Sequence, residues 1–173
     1  DVPMAEPNIR SLLPGGLCEG IAILEVLVHN GVISPSDISE GAEHLADIEK
    51  SDEVDVILSS YHCLQIIFEL DYRLHELISN YSLDEQIDKL ITMAEKNMDE
   101  NRYFLITFHS AKFGHAVAGI GICDGNWEFN GVAYDKCILT LDSNTVTEDG
   151  TAVPFHEKSN IYINSETKQV CIP

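Results

Sequence analysis

Apolar residues recur at helical spacing throughout the first hundred residues of the chain. Between residues 18 and 28 they form one broad helical face, and Asn30-Gly31 follows as a stop signal. The segment 55–79 shows the same spacing. Ser82 and Glu85 form a capping box at the start of a further helical segment. We therefore predict that the N-terminal part of the chain is mainly helical.

Beyond residue 102 the apolar residues form short continuous runs, as they do in buried strands. These runs cover residues 103–108, 115–123 and 137–141. Asp124-Gly125-Asn126 and Asn130-Gly131 have the composition of hairpin turns. Helical segments followed by strands, without regular alternation of the two, predict the α+β class.

The length and composition of the chain indicate one globular unit. A chain of 173 residues predicts a single domain, residues 1–173, that can bury about 70% of the surface of the unfolded chain. No segment approaches about 18 uninterrupted apolar residues, so we expect no membrane span. The first residues of the sequence lack the features of a signal peptide, and the sequence does not begin with methionine. Both observations fit a trimmed or processed product. We expect a secreted protein whose partners include other modules of a larger chain, and a cytoplasmic location is the alternative.

The charge of the chain restricts its partners. With 29 acidic and 10 basic residues, the formal net charge is −19. Such a chain repels a phosphate backbone, so nucleic acid is not an expected partner. The same field favours cationic peptides.

The five cysteines leave at least one thiol unpaired in a monomer. Their spacing contains no Cys-x-x-Cys pattern, and no metal or organic cofactor is expected. Cys123 and Cys137 flank a predicted hairpin and could face each other across it, either bridged or as buried free thiols.

Cys18 is the candidate nucleophile because it stands at the start of a predicted helix. The attacking species is the thiolate, and the free backbone N–H groups at a helix N-terminus stabilise it. The glycines of Gly15-Gly16 would allow the backbone to approach a substrate closely. A structural role is the alternative, since free cysteine commonly packs as a small buried residue.

His115 and Asp142 are the candidate base and orienting residue. His115 lies at the start of a predicted strand, and Asp142-Ser143-Asn144 follows the end of a later one. A carboxylate or amide at such a strand end can orient an imidazole, so Asn144 is the alternative orienting residue. His109, at the end of the preceding strand, is the main rival base.

These motifs resemble the papain-like cysteine peptidases. The resemblance rests on Gly16-Leu17-Cys18 opening a helix, on Gly114-His115-Ala116-Val117 on a strand, and on Leu141-Asp142-Ser143-Asn144 closing a later strand. It extends from about Asn8 to Asn144 and is strongest toward bacterial branches, such as bacteriocin-leader and type III effector peptidases.

The resemblance implies both a fold and an activity. The fold would have an N-terminal helical lobe that carries the cysteine and a C-terminal antiparallel β lobe that carries His115 and Asp142. The activity would be hydrolysis of peptide bonds through a thioester at Cys18, with His115 transferring the proton and Asp142 orienting its ring. Protein or peptide substrates are implied.

The chain departs from this family at two positions. Such peptidases carry a Gln or Asn shortly before the nucleophile, whereas this chain has Leu12 there, so Asn8 is the candidate oxyanion donor. Glu19 follows the cysteine directly, where relatives have an aromatic residue. Its carboxylate would disfavour the thiolate or favour a cationic substrate residue.

Two further functions fit the same residues. A transglutaminase-like acyltransferase also has cysteine, histidine and aspartate in this order, but the sequence lacks its aromatic residue after the histidine and its Asp-Pro-Thr turn. A catalytically inactive papain-like binding module is the other alternative, favoured by Glu19 and the missing Gln.

Overall fold

The computed structural model describes residues 17–67, 79–109, 114–144 and 159–173. Three α-helices in this part of the chain precede a five-stranded antiparallel sheet, so the α+β prediction is confirmed. The helices are α1 (Cys18–His29), α2 (Asp52–Ile67) and α3 (Leu83–Asp99), with short 3-10 turns at Pro35–Asp37 and Leu45–Asp47. The strands are β1 (Phe104–His109), β2 (Gly114–Phe129), β3 (Val132–Leu141), β4 (Ile161–Ile163) and β5 (Val170–Cys171).

The strands follow one another in the sheet in the order of the sequence. The tight hairpin between β2 and β3 turns at Asn130-Gly131, where both residues have positive φ angles of 54° and 78°. That conformation is the one that an Asn-Gly hairpin turn requires, so this turn prediction is confirmed. The hairpin brings the start of β2 beside the end of β3, with Ala118 opposite Leu141.

The turn predicted at Asp124-Gly125-Asn126 is wrong, because these residues lie inside β2. The pairing with β3 is irregular between Asp124 and Trp127, as at a β-bulge. A side chain at Gly125 would collide with the Trp127 ring, 2.4 Å away. The glycine therefore accommodates a bulge and an aromatic ring, and the chain does not reverse there.

Helix α3 covers one face of the sheet. It begins at the predicted capping box, in which Ser82 accepts from the backbone of Glu85 and Glu85 accepts from the backbone of Ser82. The helix buries an apolar stripe against the strands. This core contains Ile87, Ile91, Ala94, Phe104, Ile106, Val117, Ile122, Ile138, Ile161 and Ile163. Tyr134 and Cys137 of β3 and Tyr162 of β4 form a second cluster.

Helices α1 and α2 pack against each other around Leu24, Ile38 and Val54. Their closest approach is at Gly20, where an added Cβ would lie only 2.2 Å from the carbonyl oxygen of Leu58. Glycine is therefore needed there for space. The described part of α2 ends at Ile67, and residues 68–78 of the helical segment predicted over 55–79 lie outside the described residues.

Candidate active site

Cys18 is the first residue of α1 and is half-buried. Leu17 occupies the N-cap position, and its side chain has no acceptor for the backbone N–H groups of the first turn. The backbone N–H groups at the start of a helix stabilise negative charge, and the thiol of Cys18 stands at this end of α1. The predicted start of the helix at Cys18 is confirmed.

Helix α1 is attached to the edge of the sheet at its other end. The Asn30 side chain donates to the carbonyl oxygen of Tyr103 and accepts from its backbone N–H, both at 3.0 Å. The His29 ring stacks on the Tyr103 ring with centroids 3.4 Å apart. Tyr103 directly precedes β1, and α1 also packs against β2. The helix that begins with the thiol is thus fixed to the strand that carries His115.

His115 and Asp142 meet at the open end of the β2–β3 hairpin. His115 Nε2 lies 2.9 Å from Asp142 Oδ1. Both side chains are largely buried, with 10% and 17% of their surfaces exposed. Because β2 starts where β3 ends, the antiparallel pairing brings these two residues, 27 positions apart in the sequence, close enough for their side chains to meet.

The turn after β3 holds the Asp142 carboxylate in place. The backbone N–H of Asn144 donates to Asp142 Oδ1 at 2.8 Å, as in an Asx turn. The Asn144 side-chain nitrogen lies 3.5 Å from His115 Nδ1, at the limit of a hydrogen bond. Asp142 therefore makes the close contact with the ring at Nε2, and Asn144 lies at the opposite nitrogen.

Nε2 donates to Asp142 in one of the two neutral tautomers of His115. Nδ1 is then the basic nitrogen, since a neutral imidazole carries one N–H. A histidine held this way can accept a proton from a thiol through Nδ1 and later return it. The carboxylate stabilises the imidazolium that forms in between.

Glu25 is a residue of this region that the sequence analysis missed. It lies seven residues after Cys18, hence on nearly the same face of α1. Its Oε2 is buried and has no hydrogen-bond partner among the described residues. Burial and, to a lesser extent, the charge of nearby Asp142 raise the pKa of Glu25 from 4.5 to about 7. The sequence did contain a sign of this residue, because Glu25 is a glutamate within the apolar face of the predicted helix.

A cavity of about 450 Å³ lies between α1 and α2, and its lining includes Leu17, the residue before Cys18. Leu17, Ile21 and Glu25 line one wall, and Lys50 and Asp55 contribute opposite charges elsewhere on its surface. The remaining lining is apolar: Leu24, Ile38, Leu45, Ile48, Val54 and Leu58. Its volume is sufficient for a substrate side chain.

Not every other candidate from the sequence lies among the described residues. Asn8 and Leu12 fall outside the described residues, as does the side chain of His109. Glu19 is buried, with 7% of its surface exposed, so its carboxylate does not face solvent beside the thiol. This burial does not favour Glu19 as a contact for a cationic substrate.

The described residues contain no group of three or more His, Cys, Asp or Glu side chains arranged to hold a metal ion. In the same part of the chain, every helix is too short or too polar to span a membrane. Comparison of the chain with protein-family models, curated proteins and solved structures finds no significant match.

Proposed function

We propose that the chain is a cysteine peptidase of the papain-like superfamily, similar to its bacterial branches. The observation that carries this proposal is the 2.9 Å contact between His115 Nε2 and Asp142 Oδ1, on a hairpin against which the Cys18 helix packs. A thiol at a helix start and a carboxylate-oriented histidine are the parts that thiol catalysis needs. In this proposal α1 and α2 correspond to the helical lobe and the sheet to the β lobe.

The proposed reaction has two steps. Cys18 transfers its proton to His115 Nδ1, and its sulfur attacks the carbonyl carbon of a peptide bond. His115 then protonates the leaving amine, and the C–N bond breaks to give a thioester. A water molecule, deprotonated by His115, hydrolyses the thioester and restores the thiol. The backbone N–H of Cys18, together with Asn8, would stabilise the oxyanion.

The proposed substrate is a peptide with a lysine or arginine side chain near the cleaved bond. The apolar lining of the cavity suits the methylene groups of such a side chain, and Glu25 offers a buried carboxyl oxygen, Oε2, that lacks a donor among the described residues. The net charge of −19 favours approach of a cationic peptide.

The test is cleavage of a mixed peptide library, with new amino termini identified by mass spectrometry. We expect cleavage by the wild-type chain and none by Cys18→Ala, with basic residues enriched near the cleavage sites and less enriched for Glu25→Gln. Adding a labelled amine and a glutamine peptide tests the acyltransferase alternative. Incorporation of the amine without new amino termini would contradict the proposal, and so would the absence of both reactions, which favours an inactive binding module.

A further inference from the structure

Two cysteines lie directly opposite each other in the sheet, away from the proposed active site. Cys123 of β2 and Cys137 of β3 are register partners. Directly opposed residues of antiparallel strands have Cα atoms roughly 4.5 to 5.5 Å apart, and disulfides span about 4.4 to 6.8 Å. The side chains of opposed residues also lie on the same face of the sheet. We propose that Cys123 and Cys137 form a reversible disulfide that joins β2 to β3.

The contact between the two thiols supports this pairing. The Cys123 thiol is a hydrogen-bond partner of Cys137. Burial, with a smaller contribution from the neighbouring Cys123, raises the pKa of Cys137 to about 12. The two sulfur atoms therefore need only a local adjustment to bond.

No other cysteine competes for Cys137. Cys171 of β5 is paired with Tyr162 of β4, which in turn is paired with Cys137. Two strand spacings, roughly 9.6 Å, separate Cys171 from Cys137, which is too far for a disulfide. Cys18 and Cys63 lie on α1 and α2. All five cysteines are free in this structure, so the bond depends on an oxidant.

The two thiols differ in exposure, which sets the order of the chemistry. Cys123 is exposed, whereas Cys137 is 2% exposed. With a small disulfide such as oxidised glutathione, the Cys123 thiolate attacks one sulfur and releases one glutathione thiolate. Cys137 then loses its proton to solvent, and its thiolate attacks the Cys123 sulfur of the mixed disulfide, which releases the second glutathione as a thiolate. The protein loses two electrons, and oxidised glutathione is reduced to two thiols.

The bond would cross-link the two strands of the hairpin that carries His115, the proposed base, and Asp142, its orienting residue. Cys123 lies eight residues after His115, and Cys137 lies five residues before Asp142, on the same two paired strands. The disulfide would therefore stabilise the hairpin without involving Cys18. This inference does not depend on the proposed peptidase activity.

The test is equilibration of the folded wild-type chain with a series of ratios of oxidised to reduced glutathione. Free thiols are then alkylated, the protein is digested with trypsin, and linked peptides are identified by mass spectrometry. Cleavage after Lys112, Lys136 and Lys158 places Cys123 in peptide 113–136 and Cys137 in peptide 137–158. We expect these two peptides to become linked while Cys63 remains alkylated, and the unfolding temperature to rise by roughly 5 °C.

Two variants serve as controls. Cys171→Ser should retain the linked peptides, whereas Cys123→Ser should lose them and the rise in unfolding temperature. A stable glutathione adduct on Cys123 without linkage would overturn the proposal. Linkage of Cys137 to another cysteine would also overturn it. So would free Cys123 and Cys137 thiols in the folded chain at glutathione ratios that form disulfides in the unfolded chain.

Discussion

A single carboxylate oxygen organises the candidate active site at the residue scale. Asp142 Oδ1 accepts from the Asn144 backbone and lies 2.9 Å from His115 Nε2. The first bond fixes the carboxylate, and the second fixes the ring of the proposed base. The Asn144 side chain lies at the other ring nitrogen at a longer distance of 3.5 Å. The roles of these two residues in catalysis should therefore differ.

We expect Asp142→Ala to lower kcat on the order of 10²-fold or more, because the histidine loses its tautomeric and orientational control. Asp142→Asn should recover part of this loss, since its amide oxygen can still accept from Nε2–H. Asn144→Ala, which retains the backbone donor, should change kcat less than about threefold. Steady-state kinetics on a cleaved peptide measure all three values, and equal losses for Asp142→Ala and Asn144→Ala would contradict the assignment.

The buried carboxyl of Glu25 predicts a pH dependence of stability. Between pH 4.5 and about 7 the unfolded chain has released this proton, whereas the folded chain retains it. The unfolded state binds fewer protons in this range, so the contribution of Glu25 to stability falls as pH rises and levels off above about 7. The loss can reach about 3 kcal/mol.

Denaturant unfolding at a series of pH values measures this effect. Glu25→Gln should remove most of the decrease, because the amide does not ionise, while the exposed Glu128→Gln should retain it. Parallel pH profiles for Glu25→Gln and the wild-type chain would contradict the assignment of a raised pKa to Glu25.

At the element scale, α1 is held at two points. Gly20 allows the helix to approach α2 near Leu58, and Asn30 attaches its C-terminal end to the residue before β1. The position of Cys18 relative to the sheet depends on both contacts. Packing of this helix therefore contributes to the geometry of the candidate site.

Gly20→Ala should destabilise the chain by roughly 1–3 kcal/mol or more, because the new methyl group would lie 2.2 Å from a backbone oxygen of the neighbouring helix. Gly121→Ala is the matched control, since its nearest atom is the Met98 sulfur at 3.9 Å, an ordinary contact distance. Thermal or denaturant unfolding compares the two variants. Equal stabilities for them would show that the close approach at Gly20 does not constrain the helix pair.

At the scale of the whole molecule, much of the architecture follows from local patterns. The helical stripe of α3, its capping box and the Asn130-Gly131 turn depend on neighbouring residues, and each was predictable. The meeting of His115 and Asp142 follows from an antiparallel hairpin with these residues at its open end. Asp124-Gly125-Asn126 has the same composition as a turn, but strand pairing and the Trp127 ring make it a bulge.

The remaining features depend on contacts between segments distant in sequence. Glu25 is adjacent in space to a carboxylate that lies more than a hundred residues later in the chain. Helix α2 limits the space at Gly20, and Asn30 at the end of α1 holds the backbone of Tyr103. The spacing of residues along the chain does not predict such contacts, because they arise only when the helices and strands pack together.

The central claim is that Cys18 and His115 act together, and the most direct test is the rate of Cys18 alkylation by iodoacetamide as a function of pH. Mass spectrometry of the labelled peptide reports on this thiol alone, with Cys18→Ala as the blank. We expect wild-type Cys18 to reach half its maximal rate well below the free-cysteine value of about pH 8.5, and His115→Ala to lose this shift. A Cys18 that is inert, or that reacts identically in His115→Ala, would contradict the account.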